Sequence, residues 1–258
     1  MGTVLDRVGH RIGRYLSRPV ANDFLTPPTP PEVLLRTLLP GDVLLVEGNT
    51  RISGIIKYLT QSTWSHAALY VGNALADRAD TPSQAFIEAD IVEGVRAVSI
   101  DEFAGLPSRI CRPSGINQED LQAVLRFAIE RLGHQYDLRN IIDLGRYLFP
   151  TPPVPQRFRR RMLTLGSGDP TRAICSTLIA QAFQSVRYPI LPERIVRPGG
   201  AADCPDCVEE ALRLRHYSLF APRDFDVSPY FAIIKPGTAT AARYRELVWA
   251  DRSGTGLA

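Results

Sequence analysis

Apolar and polar residues alternate along two short stretches of this chain and recur with a helical period along several others. From His66 onward, His66, Ala68 and Tyr70 fall on one side of an extended segment, and Ala67, Leu69 and Val71 on the other. Phe86 to Asp90 repeats the pattern, with Phe86, Glu88 and Asp90 opposed to Ile87 and Ala89. Both read as strands, and Val43 to Glu47 reads as a third. Gln118 to Leu132 places Leu121, Val124, Leu125, Ala128, Ile129 and Leu132 at helical spacing and is closed by Gly133. Ser53 to Leu59 reads as a shorter helix with Ile55, Ile56 and Leu59 on one face. The segment after Cys175 is another, carrying Leu178, Ile179, Ala182, Phe183 and Val186 on one stripe.

The proline-rich run Thr26 to Pro31 is too stiff for a helix and suits a boundary. It divides a basic N-terminal extension, residues 1–33, from a domain over 34–236 that carries inserts near 139–168 and 193–212, followed by a tail over 237–258. With 258 residues and 45% hydrophobic composition, the chain can bury a full core as one decorated domain. No stretch reaches the roughly 18 uninterrupted apolar residues of a membrane span. The N-terminus lacks the apolar core of a secretory signal, so a cytoplasmic protein is expected. Lys57 and Lys235 are the only lysines among 30 basic residues, which reads as coding bias. A net charge of +3 and the lack of a nucleic-acid motif exclude nucleic acid as the expected partner.

The candidate chemistry lies in His66, at the mouth of its strand, and Cys175, where coil enters a helix. A thiol becomes a strong nucleophile once deprotonated, and an imidazole or a helix N-terminus stabilises the thiolate. Cys175 also falls on the apolar stripe of its helix, where it could be a small core residue. Asp169-Pro170, moreover, resembles a cap and first-turn proline that would start the helix six residues earlier. Should the strands 66–71 and 86–90 pair across the loop between them, Glu88 reaches the second nitrogen of His66, the orienting position of a triad. Asp90 shares that strand face. Cys204 and Cys207 form a Cys-x-x-Cys pair without a partner pair; Cys111, His134 and His216 are scattered. The pair therefore reads as loop cysteines in preference to a zinc half-site or a redox couple, and no metal or cofactor is expected.

The order, histidine before cysteine, reverses that of papain-like enzymes. The chain resembles the permuted papain-like amidases of the NlpC-like superfamily, in the YiiX/YaeF branch that also has poxvirus members. The residues that carry the resemblance are Leu39-Pro40-Gly41-Asp42-Val43-Leu44-Leu45, Ser65-His66, Phe86-Ile87-Glu88-Ala89, Gly94-Val95, Gly133-His134-Gln135-Tyr136-Asp137 and Ile174-Cys175-Ser176, with Ala221 to Phe225 and Tyr230 to Ile234 closing the domain. Thr177 stands where such proteins commonly have glutamate. The resemblance implies an α+β fold with a circularly permuted papain-like core, in which a small antiparallel sheet packs on the 118–132 and Cys175 helices. It also implies acyl transfer, with Cys175 as nucleophile, His66 as base and Glu88 as orienting group.

An amide- or ester-containing peptide or lipid is the expected substrate class. A lipid acyltransferase with the same three residues, or a silent membrane- or protein-binding adaptor, are the alternatives. The backbone N–H of Cys175 and one further donor, for which Tyr58 and Trp64 are near in sequence, would hold the oxyanion. Residues 3–18 set Val4, Leu5, Val8, Ile12, Tyr15 and Leu16 on one helical stripe against Arg7, Arg11, Arg14 and Arg18. Such a helix can lie on an anionic membrane surface, as can the basic run Arg157 to Arg161, but packing on its own domain or on a partner is the preferred reading of the helix and a solvated loop that of the run.

Overall fold

The turn Leu39-Pro40-Gly41-Asp42 sets the frame of the sheet. A computed structural model of the protein describes residues 14–20, 24, 26–78, 81–82, 85–90, 92–134, 174–198 and 208–236. Helix α1, Pro31–Thr37, opens with proline in its first turn, where a missing N–H costs nothing, and ends just before the turn. Gly41 takes a φ of +94°, a conformation that side-chain-bearing residues rarely adopt, and a Cβ there would also have to displace the Leu121 methyl 2.3 Å away. Asp42 is buried, accepts from the Leu39 N–H at 2.8 Å and receives Arg112 Nε and a terminal guanidinium nitrogen at 2.8 and 2.7 Å. That guanidinium also donates to the Thr37 carbonyl at 2.8 Å, which ties the end of α1 to the sheet.

Six antiparallel strands follow: β1 Val43–Val46, β2 His66–Gly72, β3 Ala85–Asp90, β4 Gly94–Val98, β5 Ser108–Pro113 and, at the far end of the chain, the closing strand Phe231–Ile234. Their spatial order is β4-β3-β2-β1-β5 and then the closing strand. Alternation along β2 and β3 works as the sequence predicts. Ala67, Leu69, Val71, Ile87 and Ala89 enter one apolar cluster, and Ala68, Tyr70 and Phe86 enter another on the opposite face. The first cluster is roofed by helix α3, Gln118–Ile129, and helix α4, Ile174–Ser185; the second is covered by α1 and a single 3-10 turn, Ile100–Phe103. The expected α+β architecture, an antiparallel sheet packed on these two helices, is what the structure has.

Helix boundaries differ from the sequence expectation by local chemistry. Helix α2 spans Arg51–Thr60, two residues earlier than its apolar face suggests, because the Thr50 hydroxyl accepts the Ser53 N–H as an N-cap. Helix α3 stops at Ile129, and residues 130–133 turn instead so that Gly133, at a φ of +82°, donates its N–H to the Val95 carbonyl of β4. The segment expected as an insert near 193–212 contains a separate two-stranded ribbon, β6 Glu193–Pro198 and β7 Val208–Arg213. Helix α5, Pro222–Asp226, precedes the closing strand, β8 in chain order. The insert over 139–168, Asp169-Pro170, Cys204, Cys207 and the tail lie outside the described residues.

Replacing Asp42 by alanine removes the carboxylate that both caps Leu39 and faces Arg112. The unfolding free energy should fall by about 3 kcal/mol, the low end for a broken buried ion pair, because the Arg112 side chain is 28% exposed and can recover some hydration. Urea denaturation of Asp42→Ala beside the parent protein measures the loss, and a change under about 0.5 kcal/mol, the range of an ordinary surface substitution, would refute the framing role.

Candidate active site

Strands β2 and β3 pair with Leu69 opposite Ile87 and Tyr70 opposite Phe86. Extended to the start of β2, this register sets Asp90 across from His66 and Glu88 on the diagonal, two residues nearer. Diagonal neighbours on one sheet face lie about 7–8 Å apart at their backbones, a span that a long side chain can close. Glu88 does so: its Oε2 lies 2.6 Å from His66 Nε2. Asp90 instead accepts the Val92 and Glu93 N–H groups at 2.6 and 2.8 Å and holds the turn into β4. Of the two acidic residues on this strand face, the one that meets the histidine is therefore Glu88.

Cys175 arrives from the other side of the site. Helix α4 is described over Ile174–Ser185, and Cys175, its second described residue, is 5% exposed. Leu178, Ile179, Ala182 and Phe183 on the same stripe are buried against the sheet and α3. Packing of this stripe is what carries Cys175 to β2. There the His66 side chain and the Ala67 backbone N–H lie near the sulfur and favour its thiolate, with Ser176 Oγ at 4.0 Å. Because Nε2 of His66 faces Glu88, the nitrogen left for the sulfur is Nδ1.

The electrostatics of the three groups are interlocked. Burial alone would push the Cys175 thiol up, but the charge and hydrogen bond of His66, with the Ala67 N–H, hold it below its ordinary value. Burial alone would likewise disfavour the His66 imidazolium, yet the Cys175 thiolate and the Glu88 carboxylate on either side raise it well above the usual histidine range. Glu88, 3% exposed, would be pushed up by burial and is instead lowered by His66 and Arg96. The arrangement favours a thiolate–imidazolium pair backed by an ionised carboxylate.

Two contributors escaped the sequence reading. One is the Ala67 N–H, which no side-chain pattern can report. The other is Arg96, directly across from Glu88 on β4, whose Nε and a terminal nitrogen lie 2.8 and 2.6 Å from Glu88 Oε1. A hairpin centred near Val92 pairs residues 88 and 96, so the signal was present in the spacing about the turn. Phe103 lies beside the His66 ring, with centroids 6.2 Å apart, and closes the site on that face.

Trp64, considered as an oxyanion donor, has its indole N–H engaged by Asp226 Oδ2 at 3.0 Å, while Arg109 grips the other oxygen at 2.6 Å and stacks over the indole ring. This cross-link fastens α5 to the loop that leads into His66 and removes Trp64 from the list of donors. Tyr58 is 43% exposed on α2. Cys111 is buried in the core beneath α3, His216 caps the 3-10 turn Tyr217–Leu219, and His134 lends its carbonyl to Val95. Among the described residues, no three His, Cys, Asp or Glu side chains are grouped to hold a metal. No helix among them is long and apolar enough to cross a membrane. At the N-terminus, Leu16 is fully buried and the Tyr15 hydroxyl accepts from Arg51 at 2.9 Å, so the described end of that segment docks on the domain.

The two described cysteines are both buried but differ in their surroundings. Burial and the Asp226 carboxylate push the Cys111 thiol up, whereas the Cys175 thiol is depressed. Iodoacetamide followed by peptide mass spectrometry should therefore modify Cys175 in the native protein at neutral pH and leave Cys111 intact until the protein is unfolded. The Cys175 rate should stay high below the ordinary thiol pKa of about 8.5 and fall only as pH drops through the depressed value. Equal rates at the two positions would contradict this electrostatic picture.

Comparison with curated proteins gives no match. Among solved structures, the metalloprotein yiiX from Escherichia coli O157:H7 is similar, with 14% sequence identity over 78% of this chain and 98% of that one and a TM-score of 0.45. Residues 37–147 match the family model described as permuted papain-like amidase enzyme, YaeF/YiiX, C92 family. The matched stretch includes His66 and Glu88, and Cys175 lies beyond it. Over residues 37–147 the chain carries the signature of the YaeF/YiiX (C92) permuted papain-like amidases, a family of the cysteine-hydrolase class.

Proposed function

We propose that this protein is a cysteine-dependent amide or ester hydrolase that acts on a peptide, lipid or modified-protein amide through a thioester on Cys175. The observation that carries the reading is the place of the His66 ring, between the Cys175 sulfur whose thiolate it favours and the buried Glu88 carboxylate, 2.6 Å from Nε2. A core histidine and a core cysteine have no need of such an arrangement.

In the first half-reaction the thiolate attacks the carbonyl carbon, and the carbonyl electron pair moves onto oxygen. As the tetrahedral species collapses, the carbon–nitrogen or carbon–oxygen bond breaks and the imidazolium gives its proton to the departing amine or alcohol. The acyl group remains as a thioester. Neutral His66 then takes a proton from water, the hydroxide adds to the thioester, and the thiolate leaves as the acid is released. Glu88 keeps the ring oriented and stabilises its charged form in both halves. The oxyanion falls to the Cys175 N–H together with a second donor that is not Trp64. Acyl transfer to a lipid or amine would differ only in the second nucleophile.

A thiol-directed acyl probe, read by intact and peptide mass spectrometry, tests the assignment. One acyl group should appear on Cys175 and disappear with time as water completes the cycle, and Cys175→Ala should abolish both. Glu88→Gln should keep the fold and slow acylation by roughly 10²-fold, the lower end of what acid–base assistance contributes. Labelling spread over several cysteines, or a Glu88→Gln protein that acylates at the parent rate, would sink the proposal.

A further inference from the structure

Outside the line of three residues, the most tightly built polar cluster next to it is centred on Arg96. We infer that Arg96 is a positioning residue of this site, which pins Glu88 Oε1 so that Oε2 meets His66 and closes the Cys175–His66–Glu88 sequence with a fourth, neutralising charge. The inference rests on the hydrolase reading.

The geometry sets Arg96 apart from an ordinary surface ion pair. Its partner is 3% exposed, it stands directly across from that partner on the neighbouring strand, and it presents two nitrogens to the single oxygen that the histidine does not use. The remaining faces of the guanidinium are taken as well: one terminal nitrogen reaches Glu93 Oε2 at 2.8 Å and the other Glu102 Oε1 at 2.7 Å. A planar fork held on three sides keeps two donors on Oε1, so Glu88 is anchored from β4 and the 3-10 turn at one oxygen and meets the histidine with the other. Lysine offers a point charge and no such fork.

Charge alternates along the line: thiolate, imidazolium, carboxylate, guanidinium. With Arg96 these four sum to zero; without it, a nearly buried group of three carries a net negative charge, and forming the thiolate becomes harder. Glu93 and Glu102, 62% and 48% exposed, lie at the outer end and act with the opposite sign. Asp90, the other carboxylate of this strand face, is held in the turn by the Val92 and Glu93 N–H groups.

The sign of these effects supplies the test. The acid limb of Cys175 alkylation by iodoacetamide is followed from pH 4 to 10 in full-length protein by peptide mass spectrometry, with circular dichroism as a check on folding. Arg96→Met should move the limb upward by about one pH unit, and Glu102→Gln should move it downward by less. Arg96→Lys should leave the limb near its parent position and lower the rate of acylation by the acyl probe, because charge is kept and the grip on Oε1 is lost. A structural role alone would lower the amount of active protein and leave the limb in place. Unmoved limbs in Arg96→Met and Glu102→Gln, with a depressed limb in the parent, overturn the role of Arg96 and leave the hydrolase reading intact. A parent limb at the ordinary thiol position overturns the hydrolase reading itself. Where Arg96→Met fails to fold, the direction of the Glu102→Gln shift decides, and an upward or absent shift counts against the inference.

Discussion

A carboxylate removed almost wholly from water must find a charge and a hydrogen bond for each oxygen, and Glu88 is where this protein meets that demand. Isolated burial of such a group costs several kcal/mol, enough to consume a large share of a domain's stability, so its partners have to be in place whenever the chain is folded. They are His66 on one oxygen and Arg96 on the other. Three adjacent strands are needed to supply the three residues, and the register between them is fixed by apolar residues on both faces of the sheet. A one-residue slip in either pairing would turn Glu88 away and bury it without partners. The sheet and the site therefore stabilise the same arrangement.

Cysteine chemistry depends on the same frame. Cys111 and Cys175 are both nearly inaccessible, and burial by itself raises a thiol. Cys111 experiences burial with a neighbouring carboxylate and is raised; Cys175 experiences burial with an imidazole and a strand N–H aimed at its sulfur and is lowered. Residue type and depth are the same in the two places, and the local field decides the outcome. Helix α4 accomplishes this by ordinary packing, since its apolar stripe lies against the sheet and carries Cys175 with it.

Holding that strand start in place falls to parts of the chain far away in sequence. The Trp64 indole is clamped by Asp226 and Arg109, Arg223 of the same C-terminal helix donates to the Thr60 carbonyl at 3.2 Å, and the buried Asp42–Arg112 pair anchors the neighbouring strand. Residues after 220 thus steady the loop that delivers His66. The closing strand, next to β5, completes the same sheet, so the end of the domain and its beginning are mechanically one unit.

Much of this was legible in the sequence. Alternation along 66–71 and 86–90 assigned faces correctly, because a period of two is imposed by the backbone of any strand, and helical spacing located α3 and the stripe that follows Cys175. Residue chemistry singled out Cys175, His66 and Glu88. What sequence could not decide was whether the thiol is a core residue or a nucleophile, since both occupy an apolar stripe, or whether Glu88 or Asp90 meets the histidine, since both share a face. Which groups stand beside the thiol and which acid meets the histidine depend on register and on distances of a few ångströms between segments up to 109 residues apart, and only the packed sheet sets them. Arg96, the Ala67 N–H and the Trp64–Asp226 clamp belong to the same class: each acts through a partner that the chain brings near only when it folds, so no local pattern of residues specifies it.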